Sequence, residues 1–571
     1  SAFAGEPPPL GGGSPTGRYW LFLEPEDLSA VELDIALDEV ARNLTPRSLD
    51  RRRRVINREP PVRRCDLPIS RHRIEMIETT GCRVIRTVRY LNAVSVLGSP
   101  LSFDRVDRLD FVRSIEPVMA FTVTNSWEEG HYYPSDEQEC SPSRGMNEQE
   151  YFPVHGITVP IRRDDPEDYN ATWVQASMVN VPAVHDLGYR GDGVLIGFQD
   201  TGFDNLDHRC FRNLDIVAAY DFLNGDDNVA DQGDRGRGQH GTMTLSVVAG
   251  LDSGRFIGTA PDARFVLTKT EDTEAERPIE EDIWVEGLWF HDSIGVDVLS
   301  SSLSYREWYD YEDRDGRTAV TTRAADSAAA AGMVIVNSVG NTGQYHYPDS
   351  KIGVPSDGNL VIGAGGVTSD SSYWVRSSQG PTYDGRIKPD VVALSSRVYV
   401  ASNYDDHNYY SRNGTSFSCP MIAGIAALML DANPHLTPEQ VIAILHETAS
   451  DADDPDTLTG YGIVNALDAV RRAEQFINDD PGMPQSSLLL TAYPNPFNGR
   501  LTVVFGTGFI PRTLEIYDVN GRLYNTDHQW NEAVSLGHRI TLDLNFLPTG
   551  TYFLRAGDGG MSAVKMVVLL R

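Results

Sequence analysis

Three short motifs in the middle of the chain each place a reactive side chain at the end of a predicted secondary-structure element. The run Ile196–Gly202 is apolar until it reaches Asp200 and a glycine turn, as expected where a buried parallel strand delivers a carboxylate to its carboxyl end. His240 stands at the start of a small-residue helix, and Ser416 follows a Gly-Thr pair at the start of an apolar helix. The motifs therefore predict an α/β fold that presents the acid, imidazole and hydroxyl used in nucleophilic catalysis.

The order of these residues along the chain, acid then histidine then serine, is one of three orders in which such a triad occurs. With this order and these motifs, the chain resembles the subtilisin-like serine proteases (peptidase S8 family) over roughly residues 169–472. Gly460–Ala466 is similar to the segment that closes the catalytic domain of that family. The resemblance implies a subtilisin-like parallel sheet with helices on both faces.

The same resemblance implies a serine endopeptidase that cuts polypeptide substrates through an acyl-enzyme. In that mechanism Ser416 attacks, His240 takes and returns the proton, and Asp200 orients the imidazole. Val336–Gly343 is similar to the loop in which the family keeps its oxyanion-hole side chain, so Asn341 is the expected donor, together with the backbone N–H of Ser416. The chemistry requires no metal or organic cofactor.

Substrate binding is expected on two segments that flank the groove in the family. Ser304 stands where subtilisins commonly have glycine, so the floor of the primary pocket is expected to be altered. Cys419 lies three residues after Ser416 and is interpreted as a small buried hydrophobe. The expected substrate-binding residues are Ser302, Leu303, Ser304, Ser338, Val339 and Gly340.

Each motif taken alone has another interpretation. The Asp-Thr-Gly at Asp200 is also the signature of aspartic proteases, and Asp252 begins a similar copy, but that hypothesis leaves the histidine and serine motifs unexplained. A lone His-Gly-Thr is typical of a structural loop, a lone Gly-Thr-Ser of a helix cap, and Asn341 of a turn. The competing functional class is a catalytically silent surface protein that uses the same fold for binding.

Charge is divided unevenly along the 571 residues. Residues 1–124 contain 18 Arg, no Lys and 17 acidic residues, a net charge of +1, which leaves −33 on the remainder given −32 for the whole chain. An acidic body repels phosphate backbones, so nucleic acid is not an expected partner. The length and the shifts in composition together indicate at least three domains.

The amino-terminal part predicts a small α+β domain in the order β-α-β-β-α-β, as in a ferredoxin-like fold. Residues 17–118 resemble subtilase propeptides, most clearly at Tyr90–Val96, which implies an inhibitor and folding chaperone. Thr45–Arg54 resembles an arginine-rich helix of secreted bacterial propeptides, although a solvated charge run equally explains the arginines taken alone. The predicted strands are Arg18–Leu23, Val84–Val88, Asn92–Val96 and Val112–Val118, and the predicted helices are Arg71–Thr80 and Phe103–Leu109.

Short strands separated by turn residues predict a β-sandwich at the carboxyl end. Tyr493–Asn498, Tyr517–Arg522 and Leu547–Tyr552 resemble the sorting domain of type IX secretion substrates. That resemblance implies the type IX machinery as a partner and delivery to the medium or cell surface through the periplasm of a Gram-negative bacterium. The alternative is an immunoglobulin-like appendage with no sorting role. The predicted strands are Leu501–Phe505, Leu514–Tyr517, Ile540–Leu544, Thr551–Arg555 and Val564–Leu569.

These patterns describe a zymogen of five segments. Exposed polar linkers are preferred cutting sites, so maturation is expected within the first linker. The segments are a propeptide at 17–123, a linker at 124–168, the catalytic domain at 169–475, a linker at 476–487 and the sorting domain at 488–571.

An acidic loop, residues 221–234, offers oxygen ligands suited to structural calcium, which subtilisin-like proteases often bind. The candidates lack EF-hand spacing, and a solvated loop is the alternative; residues 451–456 form a second candidate of the same kind. The candidate ligands in the first loop are Asp221, Asp226, Asp227 and Asp231.

Five cysteines cannot all pair, and Cys65 with Cys82 and Cys140 with Cys210 are the possible disulfides. No apolar stretch is expected to reach the length of a membrane span. The longest clear one, Met421–Leu430, is expected to form a core helix.

Overall fold

The computed structural model describes residues 17–118, 166–232, 239–272 and 277–476, together with 490–493, 500–505, 513–518, 522–524, 539–557 and 562–569. The helices are α1 Ala30–Arg42, α2 Pro46–Arg53, α3 Arg71–Thr79, α4 Pro100–Val106, α5 Pro166–Tyr169, α6 Trp173–Met178, α7 Val181–Asp186, α8 Gln239–Ala249, α9 Ile279–Ile294, α10 Val320–Ala329, α11 Thr415–Ala432, α12 Pro438–Thr448 and α13 Ala466–Phe476.

The strands follow the same chain order and fall into antiparallel and parallel groups that are described below. They are β1 Gly17–Leu23, β2 Arg83–Val88, β3 Ala93–Gly98, β4 Val112–Pro117, β5 Leu195–Asp200, β6 Asp215–Asp221, β7 Leu251–Asp252, β8 Phe256–Ile257, β9 Arg264–Lys269, β10 Val298–Ser301, β11 Val334–Ser338, β12 Val361–Val367, β13 Val391–Leu394, β14 Val398–Ala401, β15 Tyr409–Arg412, β16 Leu490–Tyr493, β17 Arg500–Phe505, β18 Thr513–Asp518, β19 Leu523–Tyr524, β20 Arg539–Asp543, β21 Gly550–Gly557 and β22 Ser562–Leu569.

The amino-terminal unit, residues 17–118, is an antiparallel sheet in the order β2-β3-β1-β4. One face packs on α3 and α4, where Val94 and Val96 are buried with Ile77 and Val106. Each predicted strand and helix is present within three residues of its expected ends, and α2 coincides with the expected arginine-rich helix. The antiparallel sheet expected of a ferredoxin-like unit is therefore observed.

Helix α1 is the element that the sequence predictions omit. A capping box fixes its start, because Ser29 Oγ accepts a hydrogen bond from the Glu32 N–H while the Glu32 carboxylate accepts one from the Ser29 N–H at 2.9 Å. Its inner face buries Leu37 and Val40 beside Leu44. The unit thus carries two extra helices, α1 and α2, between β1 and α3.

The central unit is built on seven parallel strands in the order β13-β12-β11-β10-β5-β9-β6. Successive side chains of a strand point to opposite faces, so Ile196 and Phe198 enter one apolar layer and Leu195 enters the other. Helices α8, α11, α12 and α13 cover the first face, and α9 and α10 cover the second. This is the predicted α/β architecture with helices on both faces.

The second apolar layer is shared with the amino-terminal unit. Trp20, Phe22 and Tyr90 of that unit lie in the same buried cluster as Val285 and Leu288 of α9. The sheet of residues 17–118 therefore covers α9 and α10 on the outer side of the central unit.

Helix α11 is the core of the first layer. Each of its 18 residues is buried. Among the described residues it is the one helix whose length and composition would allow it to cross a membrane. The expectation that no apolar stretch reaches that length is therefore wrong for this helix, although complete burial inside the protein agrees with the expected core role.

The carboxyl-terminal strands form two antiparallel sheets, β16-β17-β20 and β19-β18-β21-β22. Leu501 and Val503 of the first sheet share one buried cluster with Ile516, Leu554 and Val567 of the second. Two sheets around one core make the predicted β-sandwich.

The cysteines give no disulfide among the described residues. Cys65 and Cys82 are free, so the pairing suggested for them is absent. Cys210 is free and buried, and Cys140 lies outside the described residues.

Candidate active site

Both oxygen atoms of the carboxylate at the end of β5 accept hydrogen bonds. Asp200 is almost completely buried, and its Oδ1 accepts a hydrogen bond from the Thr201 N–H at 2.7 Å. Its Oδ2 accepts a hydrogen bond from Thr244 Oγ1 at 2.9 Å, and the Nδ1 of His240 lies 2.7 Å from Oδ1. The strand end and α8 together therefore aim this carboxylate at the imidazole.

The electrostatics of His240 follow from this contact. Burial alone lowers the pKa of the imidazole, but the charge of Asp200 and its hydrogen bond more than offset burial, so the pKa of His240 lies above its ordinary value. The His240 ring centroid lies 6.1 Å from that of Phe417, the residue after Ser416. Asp200, His240 and the segment around Ser416 thus lie together at the carboxyl ends of the parallel strands.

Ser416 is the second residue of α11, whose first turn is fixed to the loop after β11. Asn341 Oδ1 accepts hydrogen bonds from the Thr415 N–H at 2.9 Å and from Thr415 Oγ1 at 3.0 Å. Thr415 Oγ1 also lies 3.2 Å from the carbonyl of Gly340, whose φ of +100° favours glycine. Because Oδ1 is the accepting atom, Nδ2 is the donating end of the Asn341 amide.

The two expected substrate-binding segments lie side by side at the carboxyl ends of β10 and β11. Ser302 Oγ donates to the carbonyl of Ser416 at 2.8 Å. Asn337 Nδ2 donates to the carbonyls of Leu303 and Ser338, both at 2.9 Å, and so holds the two segments together. The Val339 carbonyl accepts a hydrogen bond from the Gly353 N–H at 3.1 Å.

Comparison with known proteins follows the same division of the chain. A family model described as the subtilase family matches residues 191–463. Subtilisin DY of Bacillus licheniformis is 30% identical over 289 residues, which are 50% of this chain and 94% of that protein. The chain belongs to the subtilase family. Serine protease AprX of Bacillus subtilis is also 30% identical, over 49% of this chain and 66% of its own length.

Two further models match outside the subtilase region. The peptidase S8 propeptide domain of Bacteroidota matches residues 18–131, and a secretion system C-terminal sorting domain matches residues 491–569. The protein is therefore a subtilisin-family serine protease with a propeptide domain and a type IX sorting domain, which indicates a secreted or cell-surface product.

Cys419 of this subtilase lies against the sheet behind the serine. Its Sγ is 3.3 Å from the Ser301 carbonyl and 3.4 Å from the Val336 carbonyl. Burial raises the pKa of the thiol to about 12, so the group stays neutral. These contacts agree with the expected role as a small buried side chain.

Carboxylates of the acidic loop after β6 accept hydrogen bonds from the loop itself. Asp221 accepts hydrogen bonds from the Leu223 and Asn224 N–H groups and from Asn224 Nδ2, and its Oδ2 lies 3.4 Å from Lys269 Nζ. Asp226 accepts from the loop itself, and the described residues contain no cluster of three His, Cys, Asp or Glu that would hold a metal. In the described part of the loop, the most buried candidate, Asp221, is therefore paired with a lysine.

The second acidic candidate behaves similarly. Asp456 Oδ1 accepts hydrogen bonds from the Leu458 and Thr459 N–H groups and from the Thr459 hydroxyl. This carboxylate organises a turn.

Sequence reasoning missed the groups that position the site. Thr244 lies one helical turn after His240, so the i, i+4 spacing on α8 was the available signal for it. Thr415 and Asn337 stand inside the quoted motifs, but the sequence did not indicate their contacts, because these join segments that are distant in the chain.

Proposed function

We propose that Ser416, His240 and Asp200 hydrolyse peptide bonds in polypeptide substrates through an acyl-enzyme. The observation that carries the proposal is the 2.7 Å contact between His240 Nδ1 and a buried carboxylate, at the edge of the sheet where α11 begins. With Nδ1–H donated to Asp200, Nε2 is the basic nitrogen that takes the proton of Ser416 Oγ and returns it to the leaving amine.

Two donors serve the tetrahedral intermediate in this mechanism. They are Nδ2 of Asn341 and the backbone N–H of Ser416 at the positive end of the α11 dipole. The orientation of the Asn341 amide by Thr415 supports this role. Peptide substrates would lie along the segments 302–304 and 338–340.

A fluorophosphonate probe tests the nucleophile. The wild-type protein should be labelled at Ser416, and Ser416→Ala should lose both labelling and nearly all peptidase activity while keeping its thermal midpoint. Ser418→Ala is the matched control, because Ser418 lies in the same turn and its Oγ donates to the Thr415 carbonyl. Equal labelling of the Ser416 variant would contradict the assignment, and no labelling of a folded wild type would favour a silent binding protein.

We further propose that the protein is made as a zymogen, with a propeptide at 17–123, a cleaved linker at 124–168 and a catalytic domain at 169–475. The apolar cluster shared by Phe22, Tyr90 and Leu288 supports an inhibitor and chaperone role, because it buries surface that the central unit would otherwise expose. Ser416→Ala should then accumulate uncut if the cleavage is autocatalytic.

Residues 488–571 are proposed to direct export through the periplasm by type IX secretion. Deleting them should trap the protein in the periplasm of a host that has this system, while peptidase activity of the purified protein is unchanged. Normal surface delivery of the truncated protein would leave the β-sandwich as an accessory domain.

A further inference from the structure

The carboxyl end of α9 is covered by residues 45–54, which include α2. A helix leaves its last carbonyl groups without partners inside the helix. Here the last two carbonyls of α9 and the two that follow the helix each accept a hydrogen bond from the covering segment. The contacts join Thr45 N to Ser293 O (3.0 Å), Thr45 Oγ1 to Ile294 O (2.7 Å), Arg47 Nε to Gly295 O (3.1 Å) and Arg51 Nη1 to Val296 O.

A carboxylate in the last turn of α9 pairs with two arginines at once. Asp292 accepts hydrogen bonds from Arg51 and Arg52, and from Tyr90 Oη at 2.5 Å. The side chains of Asp292 and both arginines have no exposed surface. Burial alone would raise the pKa of Asp292, but Arg52 and Arg51 hold it at about 2. The pairing is therefore ionic and enclosed.

The site fits its occupant in shape as well as in charge. Gly295 caps α9 with a φ of +95°, and a Cβ there would lie 2.6 Å from the backbone nitrogen of Ser48. The backbone of α2 thus approaches the helix end where glycine leaves room. A second carboxylate, Asp297, pairs with Arg47 and with Arg54.

This site is remote from the candidate catalytic groove. Asp297 accepts a hydrogen bond from the N–H of Leu195, the first residue of β5, at 3.1 Å, whereas Asp200 is the last residue of that strand. Five steps of about 3.3 Å separate the two ends of the strand by about 16 Å. Binding at the carboxyl end of α9 therefore does not depend on contacts in the groove.

We propose that the carboxyl end of α9 is a dedicated binding site for a helix that carries paired arginines, and that residues 45–54 use it to hold the propeptide on the enzyme after the linker is cut. The inference rests on the zymogen function proposed above. We name this remote site the arginine latch (residues 45–54 on 292–297). The latch retains the cut propeptide, which contacts in the catalytic groove and on the face of the amino-terminal sheet would otherwise have to do.

Retention can be measured without peptidase activity. Full-length Ser416→Ala with a site-specific protease sequence inserted in the linker at 124–168 is cut and then followed by size-exclusion chromatography. Arg51→Gln/Arg52→Gln should release the propeptide at least about 100-fold faster than the parent, because the buried carboxylate of Asp292 is left without a counter-charge. Arg86→Gln is the matched control on the sheet side, where Arg86 pairs with Glu286 at 2.7 Å, and it should behave like the parent.

If the double variant does not fold, two less disruptive variants test whether the arginine latch retains the propeptide. Arg52→Lys keeps the charge but cannot bridge Asp292 and Asp66 with one planar group, so release should still be faster. Arg47→Gln acts at the rim, where a third of its side chain is exposed, and should have a smaller effect in the same direction. The thermal midpoint of each uncut chain reports folding.

Measuring retention at high salt distinguishes the latch from long-range attraction between oppositely charged units. Enclosed ion pairs are screened little, so the parent should keep its propeptide in 1 M NaCl, where the Debye length is about 3 Å. Retention of the double variant for as long as the parent, or release of the propeptide by the parent itself, would overturn the latch. Either result would leave the assignment of Ser416 as the nucleophile standing, because that assignment is read by probe labelling.

Discussion

The contact between His240 and Asp200 sets how peptidase activity should vary with pH. Acylation needs the neutral imidazole, and the carboxylate raises the pKa of His240, so kcat/KM should rise with pH through a midpoint above the ordinary histidine value. Asp200→Asn removes the charge that raises this pKa. The midpoint should therefore move to lower pH, and the rate should fall roughly 10⁴-fold because the tautomer is no longer held.

Profiles of kcat/KM against pH for a peptide substrate check this prediction. Thr244→Val is the control, because it removes the donor to Oδ2 and keeps the carboxylate charge. It should lower the rate much less and leave the midpoint near that of the wild type. A midpoint of Asp200→Asn that equals the wild-type value would show that the carboxylate does not tune the imidazole.

Asn341 should act in the transition state more than in substrate binding. Asn341→Ala removes an oxyanion donor, so kcat should fall roughly 10²- to 10³-fold with KM little changed. Steady-state kinetics with one peptide substrate give both constants. Thr415→Ser keeps the N–H and hydroxyl donors to Asn341 and should stay close to the wild type. A large rise in KM at constant kcat would make Asn341 a binding residue.

The roles of residues that stand in local sequence motifs could be predicted. Roles that depend on contacts between distant segments of the chain could not. Asp200, His240 and Ser416 each stand at the end of a patterned element, and the structure brings their segments to one edge of the sheet. The burial of Arg51 was unpredictable, because its partner Asp292 lies 241 positions away in the chain. A run of arginines equally suggested a solvated surface.

At the scale of elements, α11 packs so closely on its neighbour that a glycine is required. A Cβ at Gly424 would lie 1.9 Å from Thr259 Oγ1, and Thr259 is itself buried. Gly424→Ala gains helix propensity of about 1 kcal/mol but forces the two segments apart, which typically costs about 1–3 kcal/mol. We expect the thermal midpoint of the central unit to fall by several degrees.

The double variant Gly424→Ala/Thr259→Ala tests the cause of that loss. Removing the hydroxyl and methyl groups of Thr259 should restore most of the midpoint, so the two changes should be strongly non-additive. Calorimetry in the Ser416→Ala background prevents self-digestion. Additive effects would show that the space around Gly424 is not the limiting factor.

Most strands and helices of the two terminal units followed from sequence patterns, whereas the architecture of the central unit followed from the family resemblance. In the central sheet, the strand that ends at Asp200 was recognisable as a short apolar run. Helix α1 was not predicted, although Leu33, Leu37 and Val40 recur at helical spacing and Ser29 caps it. Helix α11 has the composition of a membrane span because a helix buried on all sides and a helix in lipid need the same side chains.

At the scale of the whole molecule, the amino-terminal unit completes the surface of the central one. Asp282 is fully buried and is paired with Arg18 and Ser95 of the amino-terminal unit. Without residues 17–118 this carboxylate and the apolar faces of α9 and α10 would meet water. The central unit therefore gains both charge pairing and apolar burial from a segment that is expected to be removed.

Folding should depend on that segment for the same reason. Residues 165–475 expressed alone should refold slowly or not at all, and residues 17–123 added in trans should both speed refolding and inhibit the product. Recovery of peptidase activity and tryptophan fluorescence after dilution from denaturant measure these effects. An added propeptide with Arg18→Gln lacks the charge partner of Asp282 and should rescue less well than the wild type. Efficient folding of residues 165–475 alone, with no inhibition by the added segment, would refute the zymogen and leave the protease assignment intact.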